Sequence, residues 1–433
     1  MSATIFSNDY QSKPFWWEKT PRPDLTHSAL PDSADVVIIG SGYTGLSAAM
    51  QTTKHGLHTV VLDEDDAGFG CSSRNGGQIS TSIKPSYTEL KAKYGADPAL
   101  AILQEGNNAL NWVETVVTDN NLDCSFHRSG RFYGAHSVRA LDELKQRIDQ
   151  TPAQLGYEAY VVKREDQRQE IGSDFYHGGV VHPHHASIDP ARYHQGLLDC
   201  AQSYGAQVIS HCKATKIEKQ KTGIKISTSK GVISAKDVIV ATSGYTKELT
   251  PWHQRRIIPI GSYIIATEPM PDGMAERLIP QQRVITDTLQ LVVYYRTCPE
   301  HKRMLFGGRV SLSESNPEVS AHRLRELMLM RFPELAPLKI THSCMGFVGY
   351  TFDHMPHVGK YDGIYYSMGY CGSGVSLASY FGMKVGLKVA GSPDGETAID
   401  GISFSGRPYY RGNPWFLAPS IFYYRWKDKL KAR

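Results

Sequence analysis

The segment from residue 35 to residue 45 constrains the fold of this chain most strongly. Residues 35–39 (Asp-Val-Val-Ile-Ile) predict a buried parallel strand, because four β-branched residues follow one another. Gly40, Gly42 and Gly45 come next, in G-x-G-x-x-G spacing. The first glycine permits a tight turn, the second lets a pyrophosphate approach the backbone, and the third allows a helix to pack closely on the strand.

A helix and a second strand complete this unit. The helix is predicted from Leu46 to His55 and ends at Gly56, so its free N–H groups and positive end point at the phosphates. The second strand ends at Asp63, where a carboxylate can accept hydrogen bonds from a ribose. We therefore predict that the chain binds an adenine dinucleotide.

Composition excludes several other classes of protein. The 433 residues carry 47 Lys and Arg against 43 Asp and Glu, a net charge of +4, which does not indicate a nucleic-acid partner. No stretch reaches the roughly 18 apolar residues that a membrane span needs, so no integral membrane segment is expected. Seven scattered cysteines, never in C-x-x-C spacing, argue against a disulfide framework and favour a cytoplasmic location. No metal site is expected, including at the histidines of residues 182–185.

Two further glycine-bearing segments look functional. Residues 70–78 (Gly-Cys-Ser-Ser-Arg-Asn-Gly-Gly-Gln) expose backbone N–H groups and short side chains, although an ordinary surface loop has the same composition. Residues 369–374 (Gly-Tyr-Cys-Gly-Ser-Gly) lead into a long helix. A second helix N-terminus is useful if the cofactor acquires negative charge away from its phosphates, as a reduced flavin does.

Together these motifs resemble the D-amino-acid oxidase/glycine oxidase (DAO) family of FAD enzymes, which includes sarcosine oxidase. The resemblance runs from about residue 14 to residue 395. It implies an α/β protein in which a Rossmann-like FAD-binding domain of the glutathione-reductase type is interleaved with an α+β, mixed-sheet substrate domain. The predicted division is an N-terminal extension (1–33), a discontinuous FAD-binding domain (34–95, 187–255 and 346–395), a substrate domain (96–186 and 256–345) and a C-terminal tail (396–433).

The resemblance also implies which residues bind FAD. Asp63 stands where the family usually has Glu, and Glu64 could compensate for the shorter reach. Cys344 and Cys371 are candidates for a covalent flavin link, but non-covalent binding is favoured. The expected cofactor-binding residues are Gly40, Gly42, Tyr43, Thr44, Gly45, Asp63, Glu64, Cys71, Ser72, Arg74, Asn75, Gly76, Gly77, Ala214, Thr242, Gly244, Gly369, Gly372, Ser373, Gly374 and Val375.

The expected reaction is oxidation of an amine. Hydride leaves a substrate C–H bond for flavin N5, the imine hydrolyses, and O2 reoxidises the flavin to give H2O2. Tyr263, Tyr295 and His354 are the candidates for accepting a proton, and Arg296 and Arg309 are the candidates for binding a substrate carboxylate.

Several alternatives stay open at this point. The resemblance suggests a γ-glutamylated polyamine as substrate, with a sarcosine-like N-methyl amino acid as the alternative. The electron acceptor could be a quinone or a carrier instead of O2. A flavin-binding accessory protein without turnover is the alternative outside enzymes.

Overall fold

The computed structural model describes residues 4–298, 300, 302–309, 316–417 and 419–420. Its strands, in chain order, are β1 (Phe6–Gln11), β2 (Ser33–Ile39), β3 (Thr59–Leu62), β4 (Gln78–Ile79), β5 (Arg131–Gly134), β6 (Tyr160–Val162), β7 (Gly179–His182), β8 (Ala186–Ser187), β9 (Gln207–Ile209), β10 (Ala214–Lys219), β11 (Ile224–Thr228), β12 (Gly231–Val240), β13 (Ile258–Thr267), β14 (Val284–Asp287), β15 (Val293–Cys298), β16 (Arg303–Gly308), β17 (Ile340–Tyr350), β18 (His357–Tyr361) and β19 (Ile364–Met368).

The α-helices in the described ranges are α1 (Tyr43–Lys54), α2 (Tyr87–Tyr94), α3 (Ala96–Asp119), α4 (Val138–Asp149), α5 (Pro190–Ser203), α6 (Pro251–Gln254), α7 (Met274–Leu278), α8 (Pro317–Arg331) and α9 (Gly374–Val389).

The first sheet, called the parallel sheet here, has a parallel centre. Strand β2 pairs in parallel with β3 and β12, β3 with β9, and β12 with β19. Both faces of β2 are covered: Val36 and Ile38 pack with α1 and α9, whereas Val37 and Ile39 belong to the core on the opposite face. Burial on both faces explains why the strand is apolar throughout instead of alternating.

The second sheet, called the mixed sheet here, has the order β1-β17-β13-β16-β15-β14-β5-β7-β6. Its central pairs β13–β17 and β13–β16 are antiparallel. The sequence pattern predicts a hairpin over residues 292–296 and 303–309, and this hairpin corresponds to β15 and β16. One face packs on an apolar cluster that includes Tyr263, Phe306 and Met328 of α8. The mixed α/β architecture that the sequence predicts is therefore confirmed.

The structure adds detail to the sequence expectations at three elements. Helix α1 begins at Tyr43, three residues earlier than expected. The sequence pattern predicts two separate strands, at residues 232–234 and 237–242, but the structure has the single strand β12 there. Helix α3, assigned from sequence to the substrate domain, buries Ile102 and Leu110 in the same core as α1 and α9, because its apolar stripe faces the parallel sheet's helical layer.

The N-terminal extension adds a strand to the mixed sheet, and part of the predicted tail lines the central cavity. Strand β1 of the N-terminal extension pairs with β17 at the edge of the mixed sheet. Phe416 and Leu417 of the predicted tail contact the central cavity described below, while the basic end of that tail lies outside the described residues. Among the described helices, none combines the length and apolar character needed to cross a bilayer. The domain boundaries stay a prediction.

Candidate active site

A cavity of about 1000 Å³ lies between the two sheets. It opens at the carboxyl ends of β2, β3 and β12, which is where ligands bind in open α/β sheets. Gly42, Asn75 and Gly372 all line it. The three glycine-bearing segments, far apart in sequence, therefore surround one shared space.

The first segment has the geometry that its glycines predict. Gly40 has φ +106°, and a Cβ there would lie 2.9 Å from the carbonyl oxygen of Ala241. A Cβ at Gly42 would lie 2.8 Å from Ser72 Oγ. A Cβ at Gly45 would overlap the carbonyl oxygen of Gly40, so only glycine lets α1 pack this closely on β2. Gly42 precedes α1 without a side-chain cap, which leaves a cradle of backbone N–H groups at the cavity.

Asp63 stabilises this turn from the end of β3. Its carboxylate accepts hydrogen bonds from Ser41 N (2.9 Å) and Ser41 Oγ (2.5 Å), and also from Asp65 N (3.1 Å). Burial raises the pKa of Asp63. Glu64 also lines the cavity, but its carboxylate pairs with Lys247 (2.5 Å) and Lys213 (3.4 Å).

The second segment is held to α1 by side-chain hydrogen bonds. Ser72 Oγ accepts from Tyr43 N at 3.0 Å, and Asn75 Oδ1 accepts from Gly77 N at 2.8 Å. Trp16 of the N-terminal extension donates from Nε1 to the carbonyl oxygen of Asn75 at 2.9 Å. The loop is therefore fixed on both sides before any ligand binds.

The third segment places a second helix end at the cavity. Gly372 has φ +95°, and α9 starts at Gly374 with no side-chain cap. Gly372, Ser373, Gly374 and Val375 line the cavity. Free N–H groups and the helix dipole at this end favour negative charge on a bound group.

Most of the predicted cofactor-binding residues line this cavity. Those that do so are Gly40, Gly42, Tyr43, Thr44, Asp63, Glu64, Cys71, Ser72, Arg74, Asn75, Gly76, Ala214, Thr242, Gly244, Gly372, Ser373, Gly374 and Val375. Gly45, Gly77 and Gly369 are not among the lining residues. A Cβ at Gly45 or Gly77 would overlap a backbone carbonyl oxygen behind the wall, and a Cβ at Gly369 would overlap the Thr351 side chain.

The predicted catalytic residues divide into two groups. Arg309 and His354 line the cavity. Tyr263 and Tyr295 do not: both lie in the apolar cluster on the other face of the mixed sheet. Tyr295 stacks on Phe306, with ring centroids 5.1 Å apart, and shares a hydrogen bond of 2.8 Å with Tyr176 OH.

Strand alternation explains this placement, because neighbouring residues of a strand point to opposite faces. Tyr294, one residue before Tyr295, lines the cavity, and its OH lies 2.8 Å from Ser262 Oγ. Ser262 lines the cavity too, one residue before Tyr263. The sequence prediction selected the correct strands, but the two tyrosines that it chose point to the face of the mixed sheet away from the cavity.

Arg296 is also placed differently from the expectation that it binds substrate. Its buried guanidinium donates from Nη1 to the carbonyl oxygens of Gly77 (3.1 Å) and Ile188 (3.0 Å), and it does not line the cavity. Arg296 therefore holds the end of the second glycine-bearing segment, residues 70–78, in place and does not face the cavity.

Sequence reasoning missed several polar side chains of the wall. They are Lys84, Arg131, Tyr245, Lys247, Tyr294 and Tyr350. Burial raises the pKa of Tyr350 to about 12 and also raises that of Tyr294, so both phenols stay protonated near neutral pH. A tyrosine beside apolar residues in a strand gives no sequence signal of which face it occupies.

The positions of Cys344 and Cys371 do not favour a covalent link to the flavin. Neither Cys344 nor Cys371 lines the cavity, and burial raises the pKa of Cys371 to about 11, which disfavours its thiolate. Within the described ranges no cluster of His, Cys, Asp and Glu is arranged to hold a metal ion.

The fold and the cavity define a dinucleotide-binding α/β protein whose mixed sheet covers the far end of the ligand site. A family model described as DAO: FAD dependent oxidoreductase matches residues 35–386. The chain belongs to this DAO family of FAD-dependent oxidoreductases.

Curated relatives match over nearly the full chain. A probable oxidoreductase OrdL of Rhizobium meliloti is 30% identical over 94% of each chain. The γ-glutamylputrescine oxidoreductase of Escherichia coli is 28% identical over 92% of this chain and 93% of its own. Among solved structures, a glycine oxidase from Geobacillus kaustophilus superimposes with a TM-score of 0.72 at 16% identity, covering 88% of this chain and all (100%) of that one. That last likeness shows the fold.

The residues present fit FAD. Three features fit the cofactor: a backbone turn that any Cβ at Gly42 would narrow, the N-terminal end of α1 beside it, and the uncapped N-terminal end of α9. The first two suit a pyrophosphate, and the third suits a ring that gains negative charge.

Proposed function

We propose that the protein oxidises the C–N bond of a small amine or amino acid. The observation that carries the proposal is the continuity of the cavity: one space connects the dinucleotide turn at Gly42 with Ser262, Tyr294 and Arg309 under the mixed sheet. An amine bound next to Ser262, Tyr294 and Arg309 would lie beside the region between Asn75 and Gly372. That region is where we expect the flavin ring.

When bound, FAD supplies the acceptor for the hydride that leaves the substrate carbon. Gly42 and the start of α1 would hold its pyrophosphate, and the segments at Asn75 and Gly372 would hold its ring. The residues of the mixed sheet would bind and orient the amine, and the Tyr294 phenol would donate or accept one hydrogen bond as a neutral group.

The charges of the wall favour the reactive form of an amine. Four cationic side chains line the cavity near the mixed sheet and near residues 70–78: Arg74, Lys84, Arg131 and Arg309. Positive charges lower the pKa of a nearby ammonium group. An amine would therefore bind more readily in its neutral form, whose lone pair assists hydride loss.

A γ-glutamylputrescine-like amine is the substrate class that we favour. The relative of that name matches 92% of this chain and 93% of its own length at 28% identity. A sarcosine-like N-methyl amino acid is the alternative substrate, O2 is the acceptor that we favour, and a quinone or carrier is the alternative acceptor.

The test is a panel of amines mixed anaerobically with the FAD-loaded protein. We expect γ-glutamylputrescine to bleach the flavin absorbance, and admission of air to restore it with release of H2O2. Bleaching without peroxide would replace O2 by another acceptor. Absence of bleaching with every amine and amino acid would contradict the proposed function.

A further inference from the structure

The charges along the cavity wall are unevenly distributed. The acidic side chains among its lining residues are Asp63, Glu64, Asp65 and Glu248, all at the end where the dinucleotide turn lies. Under the mixed sheet the wall carries the cationic groups Lys84, Arg131 and Arg309, without an acidic lining residue in the described ranges. Among the described lining residues, this part of the cavity therefore carries more cationic than anionic side chains.

Arg131 is the clearest of these groups. It starts β5, and its Nε is inaccessible to solvent and has no hydrogen-bond partner in the part of the chain that the structure describes. No carboxylate of that part forms an ion pair with it, and desolvation lowers its pKa to about 10. A guanidinium that gives up water without gaining a partner is costly to the fold.

The groups that surround Arg131 add no negative charge. His182 and His185 stack with ring centroids 4.9 Å apart, and burial, followed by the charge of Arg131, lowers the pKa of His182 to about 4. His185 is held neutral for the same reasons. Tyr133 is protonated, because burial raises its pKa.

Lys84 brings a second cation to the same part of the wall. Desolvation lowers the pKa of Lys84; Cys371 opposes this shift, and the positive charges of Arg131 and Arg147 add to it. The Cys371 thiol is itself neutral, because burial raises its pKa to about 11. Its Nζ has no ion-pair partner among the described residues; only its backbone carbonyl is engaged, by Arg147 Nη2 at 3.3 Å. Two cations that repel each other and lack an internal anion are suited to an anion brought by a ligand.

We propose that Arg131 and Lys84 bind a carboxylate of the amine substrate and thereby select carboxylate-bearing amines over free diamines and polyamines. This inference rests on the proposed amine oxidation for its substrate class. The guanidinium supplies a bidentate fork and the ammonium a point charge. The second ammonium of a free polyamine would be repelled from the same place.

The first test measures anion binding without turnover. Glutarate is titrated into the FAD-loaded protein and followed by the change in flavin absorbance, with neutral glutaramide as the reference ligand. We expect Arg131→Gln to weaken glutarate binding on the order of 10- to 100-fold and Arg131→Lys to weaken it less, with glutaramide unaffected. Arg128→Gln is the matched control, since Arg128 pairs with Glu114 outside the cavity lining.

Lys84→Gln provides a second, independent variant should Arg131→Gln fail to fold, and the same loss of glutarate affinity is expected. Unchanged glutarate affinity in either folded variant would overturn the proposal. A changed flavin spectrum with unchanged glutarate affinity would overturn it as well, because the cations would then face the cofactor.

The second test uses turnover of two matched amines, N-glutarylputrescine and N-pentanoylputrescine, which differ by one carboxylate. The wild type should prefer the acid through a lower KM, and Arg131→Gln should bring the two kcat/KM values together. An unchanged preference would overturn the carboxylate site. If the wild type oxidises neither amine nor any other, the proposed function fails, while glutarate binding still decides whether the anion site exists.

Discussion

Replacement of Gly45 by Ala tests how the spacing between α1 and β2 controls cofactor binding. A Cβ at this position would overlap the Gly40 carbonyl oxygen and lie 3.0 Å from Gly40 C and 3.3 Å from Ile38 Cγ2. The obstructing oxygen belongs to the backbone of the phosphate turn, so it cannot move aside as a side chain would. Helix α1 must instead shift away from β2, carrying its N-terminal N–H groups with it.

Two energies follow from this shift. Overpacking costs about 1–3 kcal/mol, and a backbone–backbone overlap belongs at the upper end of that range. Loss of one hydrogen bond between a helix N–H group and a charged phosphate costs about 2 kcal/mol, or roughly a 30-fold weaker Kd for FAD. We therefore expect both a lower Tm of the apoprotein and weaker FAD binding.

The assay titrates apoprotein with FAD by flavin fluorescence and records the Tm of the apo and loaded forms. Gly386→Ala is the matched control: its Cβ would lie 2.6 Å from the carbonyl oxygen of Ala48, where α9 packs on the opposite part of α1, outside the cavity lining. It should lower Tm with little change in FAD affinity. An FAD affinity of Gly45→Ala within about twofold of the wild type would refute the phosphate-turn assignment.

Four other substitutions test the placement or the titration of particular side chains. Tyr294→Phe should lower kcat/KM about tenfold by removing a cavity hydroxyl, whereas Tyr295→Phe should lower Tm and leave the kinetics unchanged; the reverse pattern would contradict the assigned strand faces. Trp16→Phe removes the indole donor to the Asn75 carbonyl and should speed FAD release several-fold in stopped-flow dilution, and an unchanged release rate would exclude this clamp. His253 has two buried ring nitrogens that find no hydrogen-bond partner among the described residues, and burial lowers its pKa from 6.5 to about 4. Because the unfolded state takes up the proton first, the free energy of unfolding falls as pH drops from about 6.5 to 4. His253→Phe should reduce this loss by on the order of 3 kcal/mol, which a series of Tm measurements against pH would show. An equally steep acid limb in that variant would show that His253 does not titrate this way.

The sequence by itself determined the parts of this protein that depend on local geometry. The run of β-branched residues, the spacing of Gly40, Gly42 and Gly45 and the position of Asp63 specify a strand–turn–helix–strand unit whose cause is steric and lies within 30 or so residues. The segments at Asn75 and Gly372 could be recognised in the same way, because runs of glycine and short polar residues indicate backbone N–H groups that are open to a ligand.

Only the tertiary structure decided which side chains face the ligand. Both faces of the mixed sheet are enclosed, one by the α8 cluster and the other by the cavity, so apolar and aromatic residues occupy both parities of β13 and β15. The alternation of apolar and polar residues therefore does not indicate which side chains of these strands face the cavity. The sequence alone cannot decide whether Tyr294 or Tyr295 does so. Arg131 and Arg296 differ for the same reason: whether a buried arginine meets backbone carbonyls or an open cavity depends on segments more than 100 residues away, such as Ile188 for Arg296.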